Sequence, residues 1–147
     1  MSEKPRTIEI LLIEDDPGDV LLTREALKES KLTINLSIVN DGVDALEFLR
    51  REGKYTNAMR PQLILLDLNL PKKDGREVLT EVKGDSKLKR IPIVVLTASR
   101  AETDINKCYN LHANAYVVKP VNLDDFLNVV SRTANYWLNV ITLPSGD

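Results

Sequence analysis

Five short apolar runs punctuate the chain: IEILLI at 8–13, INLSIV at 34–39, QLILLD at 62–67, IPIVVL at 91–96 and NAYVV at 114–118. Several are apolar at every position rather than at alternate ones, which marks strands covered on both faces, as in parallel sheets. Between them the apolar spacing lengthens to that of a helix. Asp16-Pro17-Gly18-Asp19 opens the first helix, with Asp16 as its cap, Pro17 in the first turn and Asp19 at the positive end. Val20, Leu21, Ala26 and Leu27 then recur at helical spacing. Asp41-Gly42 opens the second, with Val43, Leu46, Phe48 and Leu49 as its apolar face. Segments 75–82, 101–111 and 122–138 read as the third, fourth and fifth helices, and 52–61 as a long connection before the third strand. This strict alternation predicts an α/β fold with an open parallel sheet.

Composition adds three constraints. With 147 residues the chain fits one domain, and with 43% hydrophobic but only 5% aromatic residues its core must be mainly aliphatic. Twenty basic residues against 22 acidic ones exert no global pull toward nucleic acid, and the local cluster at 83–90 reads as a solvated helix end. One cysteine, Cys108, excludes an intrachain disulfide, and it reads as a buried small apolar residue of the fourth helix. The lone His112 has no second histidine with which to build a zinc site, and it reads as the end of that helix. The first nine residues lack an apolar leader segment, and no apolar run approaches the ~20 residues needed to span a bilayer. The sequence therefore predicts a soluble, cytoplasmic protein.

The polar residues at the strand ends carry the chemistry. Strand one runs into Glu14-Asp15-Asp16, strand three into Asp67, strand four into Thr97, and strand five into Lys119-Pro120. All fall on the carboxyl edge of the sheet, where ligands bind in open α/β folds. A flavodoxin-like (βα)5 three-layer sandwich, with strand order 2-1-3-4-5, makes strands one and three neighbours and brings Glu14, Asp15 and Asp67 together. At ~5 Å and an effective dielectric of ~20, each pair of such charges repels by about 3 kcal/mol. The cluster must take up protons or hold a cation. Oxygen ligands suit Mg²⁺, which keeps waters and bridges to phosphate, and Mn²⁺ can substitute. Lys119 adds a point charge for an anion, and Thr97 a hydroxyl. Together they describe a phosphoryl site with Asp67 as a possible nucleophile.

The segments LLIEDD, LILLDLNLPKKDG, VVLTAS and AYVVKP, in this order and each at its strand end, resemble the response-regulator receiver domains of two-component signalling. The resemblance covers residues 8–138. It implies that Asp67 accepts a phosphoryl group from a histidine kinase, that Glu14 and Asp15 organise the Mg²⁺, and that the backbone carbonyl of Asn69 completes its shell. By the same resemblance Thr97 is the switch hydroxyl, Lys119 pairs with the acceptor and then the phosphate, and Tyr116 turns inward when Thr97 moves. Asn69 and Ser99 would tune dephosphorylation, and Pro120 would follow a cis bond. The protein would be a signalling phosphoacceptor that catalyses only its own phosphorylation and dephosphorylation, switching the surface formed by helix four, strand five and helix five.

The long loop before strand three, the phrase DLNLPKKDGREVL and the tail YWLNVITLP are similar to the single-domain cyanobacterial phytochrome response regulators. This narrower resemblance implies a phytochrome as the kinase and a receiver domain over 5–138. An apolar tail over 139–147 follows, with no output domain, no direct nucleic-acid contact and no membrane contact. Trp137, Leu138, Val140, Ile141 and Leu143 form a dense apolar end, which either folds back on its own domain or seals a homodimer. The subfamily resemblance favours the homodimer. A haloacid-dehalogenase-type phosphohydrolase needs a D-x-D motif, and Asn69 occupies the position of its second acid. A pseudo-receiver that binds partners without phosphate sits poorly with an intact set of acids, threonine and lysine.

Overall fold

The computed structural model describes residues 7–30 and 32–145. Residues 5, 6 and 31 of the expected domain, and 146–147 of the expected tail, lie outside them. Strands β1 (Thr7–Ile13), β2 (Thr33–Val39), β3 (Leu63–Leu66), β4 (Ile93–Thr97) and β5 (Ala115–Val118) alternate with helices α1 (Pro17–Lys28), α2 (Gly42–Arg50), α3 (Gly75–Gly84), α4 (Glu102–Asn110) and α5 (Leu123–Asn135). All pairings are parallel and the sheet order is β2-β1-β3-β4-β5, as the sequence predicts. The central strands are buried on both faces because alternate residues feed two cores. Leu11, Ile13, Ile64 and Leu66 pack with Leu46, Leu49, Leu79 and Val82 on the side of α2 and α3. Ile10, Leu12, Leu63 and Leu65 pack with Leu27 and Ala134 on the side of α1 and α5.

Local chemistry sets the helix starts. The Asp16 carboxylate accepts from the amides of Gly18 and Asp19, Asp41 accepts from Asp44, and Asp74 accepts from Arg76. At the far end of α4, His112 adopts a left-handed backbone, φ 73°, just past the cap residue Leu111, which ends the helix as its sequence position predicts. Cys108 is fully buried.

Three expectations change. Leu21 and Val43 are exposed, because α1 buries Thr23, Ala26 and Leu27, and α2 buries Ala45, Leu46, Phe48 and Leu49. Helix five does not run unbroken to residue 138: α5 stops at Asn135 and a π-helical turn spans Tyr136–Val140. No peptide bond among the described residues is cis, so the bond before Pro120 is trans, the intrinsically favoured form even for proline. No helix among the described residues is long and apolar enough to cross a membrane.

Candidate functional site

The sheet register aligns the strand ends. Ile13 lies opposite Val39 and Leu66, Leu66 opposite Val95, and Thr97 opposite Val118. The ladder then continues by one bond into the polar residues. The amide of Glu14 donates to the carbonyl of Val39 at 3.0 Å, that of Asp67 to Ile13 at 3.0 Å, and that of Lys119 to Thr97 at 2.7 Å. These side chains therefore leave a rigid edge rather than a loop. The β3–α3 connection folds tightly beside them. A Cβ at Gly75 would lie 2.3 Å from the Asp67 carbonyl oxygen, and one at Gly42 would lie 2.0 Å from that of Lys73, so both close approaches require glycine.

Asp67 is buried and engaged at both carboxylate oxygens. The fully buried Thr97 hydroxyl donates to Oδ1 at 2.8 Å, and the amide of Asn69 approaches the same oxygen at 3.4 Å. Lys119 reaches Oδ2 at 3.4 Å. The Lys119 ammonium also donates to Glu14 and to Asp19, the latter at 2.9 Å, so its three donors face three carboxylates. Burial pushes the Glu14 carboxyl up to about 7, against the hydrogen bond and charge of Lys119, and the neighbouring Asp67 charge adds to the rise. Burial also works against the Lys119 ammonium, yet the hydrogen bonds it donates to Glu14 and Asp19, with the charge of Asp67, lift it above the ordinary lysine range.

Glu14, Asp15 and Asp67 each bring a carboxylate oxygen within 4.8 Å of the others, two of them buried and Asp15 exposed at the rim. Three hard oxygen donors, one side of which opens to water, fit a divalent cation that keeps part of its hydration shell. The open cleft in front of them is lined by Asp15, Asp19, Asp67, Asn69, Ala98 and Lys119, and its roughly 490 Å³ leave room for a phosphoryl group. The exposed Asn69 holds no carboxylate at the cleft mouth, which agrees with the absence of a D-x-D pair.

Two predicted residues lie off the cleft. The Ser99 hydroxyl donates to Asp104 on α4 at 2.6 Å, and the Tyr116 hydroxyl donates to the Ser99 carbonyl at 2.9 Å. Asp104 is in turn paired with Arg76 of α3 at 2.7 Å, and these two partners hold its carboxyl below the usual range. Asp19, Asp104 and Arg76 were not singled out as site residues by the sequence. Asp19 reads in the sequence only as a first-turn acid of α1, and for the other two no sequence signal exists.

The model of the response regulator receiver domain matches residues 10–131. The chain belongs to this family of two-component phosphoacceptors. The response regulator Rcp1 of Synechocystis is 51% identical over 136 residues, 92% of each chain. The crystal structure of its Mn²⁺-bound form superposes with a TM-score of 0.92 at 50% identity, over 94% of this chain and 99% of that one. The phosphorylated cyanobacterial phytochrome response regulator RcpA superposes with a TM-score of 0.93 at 50% identity, over 95% of this chain and all of that one. The receiver thus has the predicted flavodoxin-like fold, and its acidic cluster is typical of the divalent-metal site that receivers carry.

Proposed function

We propose that Asp67 is the phosphoacceptor and that the phosphodonor is the phosphohistidine of a histidine kinase. An Asp67 oxygen attacks phosphorus; the P–O bond forms as the P–N bond breaks, and the imidazole nitrogen keeps the electron pair and takes a proton. The observation that carries this reading is the setting of Asp67. It is the one carboxylate at the end of β3, it holds both Thr97 and Lys119, and it shares its cleft with Glu14 and Asp15. Mg²⁺ or Mn²⁺ held by Glu14, Asp15 and Asp67, with the Asn69 carbonyl as a further donor, would neutralise part of the phosphoryl charge. Lys119 and Thr97 then bind phosphoryl oxygens. Thr97 leaves Asp67 to do so, and Tyr116 follows, altering the surface of α4, β5 and α5. Phosphate shifts this equilibrium because it binds the two arrangements differently.

The likeness to Rcp1 and RcpA supports a phytochrome as the kinase, with light as the signal, and a cytoplasmic setting. It also supports a receiver domain over 5–138 with a short apolar tail, acting as a signalling protein rather than an enzyme on other substrates. The tail supports a homodimer: Trp137 and Leu138 pack on their own core, whereas Tyr136 and Val140 are exposed beside α5. The experiment for the acceptor is incubation with Mg²⁺ and acetyl phosphate. One phosphoryl group removable by hydroxylamine is expected on the wild type and none on Asp67→Asn; equal labelling of both sinks the assignment.

A further inference from the structure

We infer that Asp19 is a positioning residue for phosphoryl transfer: it competes with Asp67 for the Lys119 ammonium until a phosphoryl group draws it over. This inference rests on Asp67 as the phosphoacceptor. Lys119 is buried and lies 2.9 Å from Asp19 but 3.4 Å from Asp67. Its other partner, Glu14, belongs to the three-acid cluster, whereas Asp19 does not. A cation in that cluster therefore competes with Lys119 for Glu14 and Asp67 but leaves its contact with Asp19 intact.

The local structure fixes Asp19 for this task. Pro17 starts α1, and the Asp19 amide is held by the Asp16 carboxylate at 3.1 Å, which orients the first turn toward the cleft. An ammonium has three donors, and all three already face carboxylates. To bind a phosphoryl oxygen Lys119 must release one of them. Asp19 is not modified in the reaction, while the Asp67 carboxylate becomes an acyl phosphate. Asp19 is thus the persistent competitor for Lys119, and it sets how strongly the lysine commits to the phosphoryl group.

The probe is beryllofluoride, in which beryllium accepts an oxygen lone pair of Asp67 in place of a water molecule, giving a tetrahedral anion shaped like the phosphoryl group. Its affinity is measured by titration calorimetry at saturating Mg²⁺. Asp19→Asn is expected to bind it about tenfold more tightly than wild type, ~1.4 kcal/mol. Asp16→Asn removes the same charge from the same helix end without touching Lys119 and keeps an oxygen for the cap; it is expected within about twofold of wild type, ~0.4 kcal/mol. Asp19→Glu restores the charge and is expected to return the affinity toward wild type. An unchanged Asp19→Asn, an equal gain in Asp16→Asn, or a gain retained in Asp19→Glu overturns the inference while leaving Asp67 as acceptor. A wild type that binds no beryllofluoride overturns the acceptor reading itself.

Discussion

Glu14 is nearly inaccessible to water, 2% exposed, beside a second buried carboxylate, and its ionisation is opposed by the fold. Replacing it by Gln keeps the shape and an oxygen for Lys119 while removing the charge. The rise of its pKa from 4.5 to about 7 corresponds to about 3 kcal/mol, at 1.36 kcal/mol per pH unit, when Glu14 is fully ionised. The sign follows from proton binding. Between these two values the folded state holds a proton that the unfolded chain has released, so this group's stabilisation is intact below pH 4.5 and is lost as pH rises through about 7. Urea unfolding without divalent ions should therefore find Glu14→Gln more stable than wild type at pH 8, by up to about 3 kcal/mol, with the gap nearly closed at pH 4. Mg²⁺ should reverse the order of benefit, stabilising wild type more than the variant, because the lost carboxylate belongs to the three-acid cluster that would hold the ion. A variant that is less stable than wild type at pH 8 would refute the reasoning. It would mean that the pair with Lys119 outweighs the desolvation of Glu14.

Gly75→Ala places a methyl group 2.3 Å from the Asp67 carbonyl oxygen, so the backbone must shift. A loss of about 1–3 kcal/mol in urea unfolding is expected, together with weaker Mg²⁺ binding, and unchanged metal affinity would show that the shift spares the site. Arg76→Gln removes the ion pair from α3 to Asp104 on α4, both partly exposed, so global stability should fall by no more than about 1 kcal/mol. Amide hydrogen exchange should nonetheless quicken selectively in α4, and a uniform change across all helices would deny the clamp. Val140→Glu alters a side chain that is 63% exposed, and should cost less than about 0.5 kcal/mol of fold stability. If the tail seals a homodimer, gel filtration should move this variant to monomer size, whereas elution at the wild-type dimer position puts the seal elsewhere.

The strand ends were legible because a parallel sheet leaves little freedom. Once IEILLI and LILL are read as neighbouring buried strands, Glu14 and Asp67 must emerge side by side. Thr97 and Lys119 follow from the same register, and so does the joining of Thr97 to Asp67. Residues on helices were harder. The first-turn acid Asp19 serves the helix dipole wherever its side chain points, so its sequence position says nothing of Lys119 until the packing of α1 on the sheet is known. The family resemblance assigns Ser99 to tuning dephosphorylation. The turn into α4 instead commits its hydroxyl to Asp104. That partnership depends on the rotation of α4, which no periodicity in a nine-residue helix with one buried residue can fix.

On the proposed mechanism the molecule separates a part that performs chemistry from a part that carries the signal. Glu14, Asp67, Thr97 and Lys119 are held by backbone ladder bonds over two aliphatic cores, and moving any of these anchors would break close packing. The segment after Thr97 is held differently. Ser99 keeps Tyr116 through its carbonyl and Asp104 through its hydroxyl, and Arg76 keeps Asp104, while Ala98 and Arg100 are exposed. Polar contacts of this kind contribute about 1 kcal/mol each, so exchanging all three involves about 3 kcal/mol. Moving a two-state balance from 1:99 to 99:1 takes about 5.5 kcal/mol of differential binding. A dianionic phosphoryl group that gains both Lys119 and the Thr97 hydroxyl in only one arrangement is a source of that size, since charge-assisted hydrogen bonds contribute about 1.5–3 kcal/mol apiece. The same phosphoryl group could not repack a core built from Leu66, Val78, Leu79 and Val95, where one truncated side chain costs about as much as the whole signal. On the proposed mechanism the response therefore has to leave through the β4–α4 turn, where the contacts are few, polar and reversible.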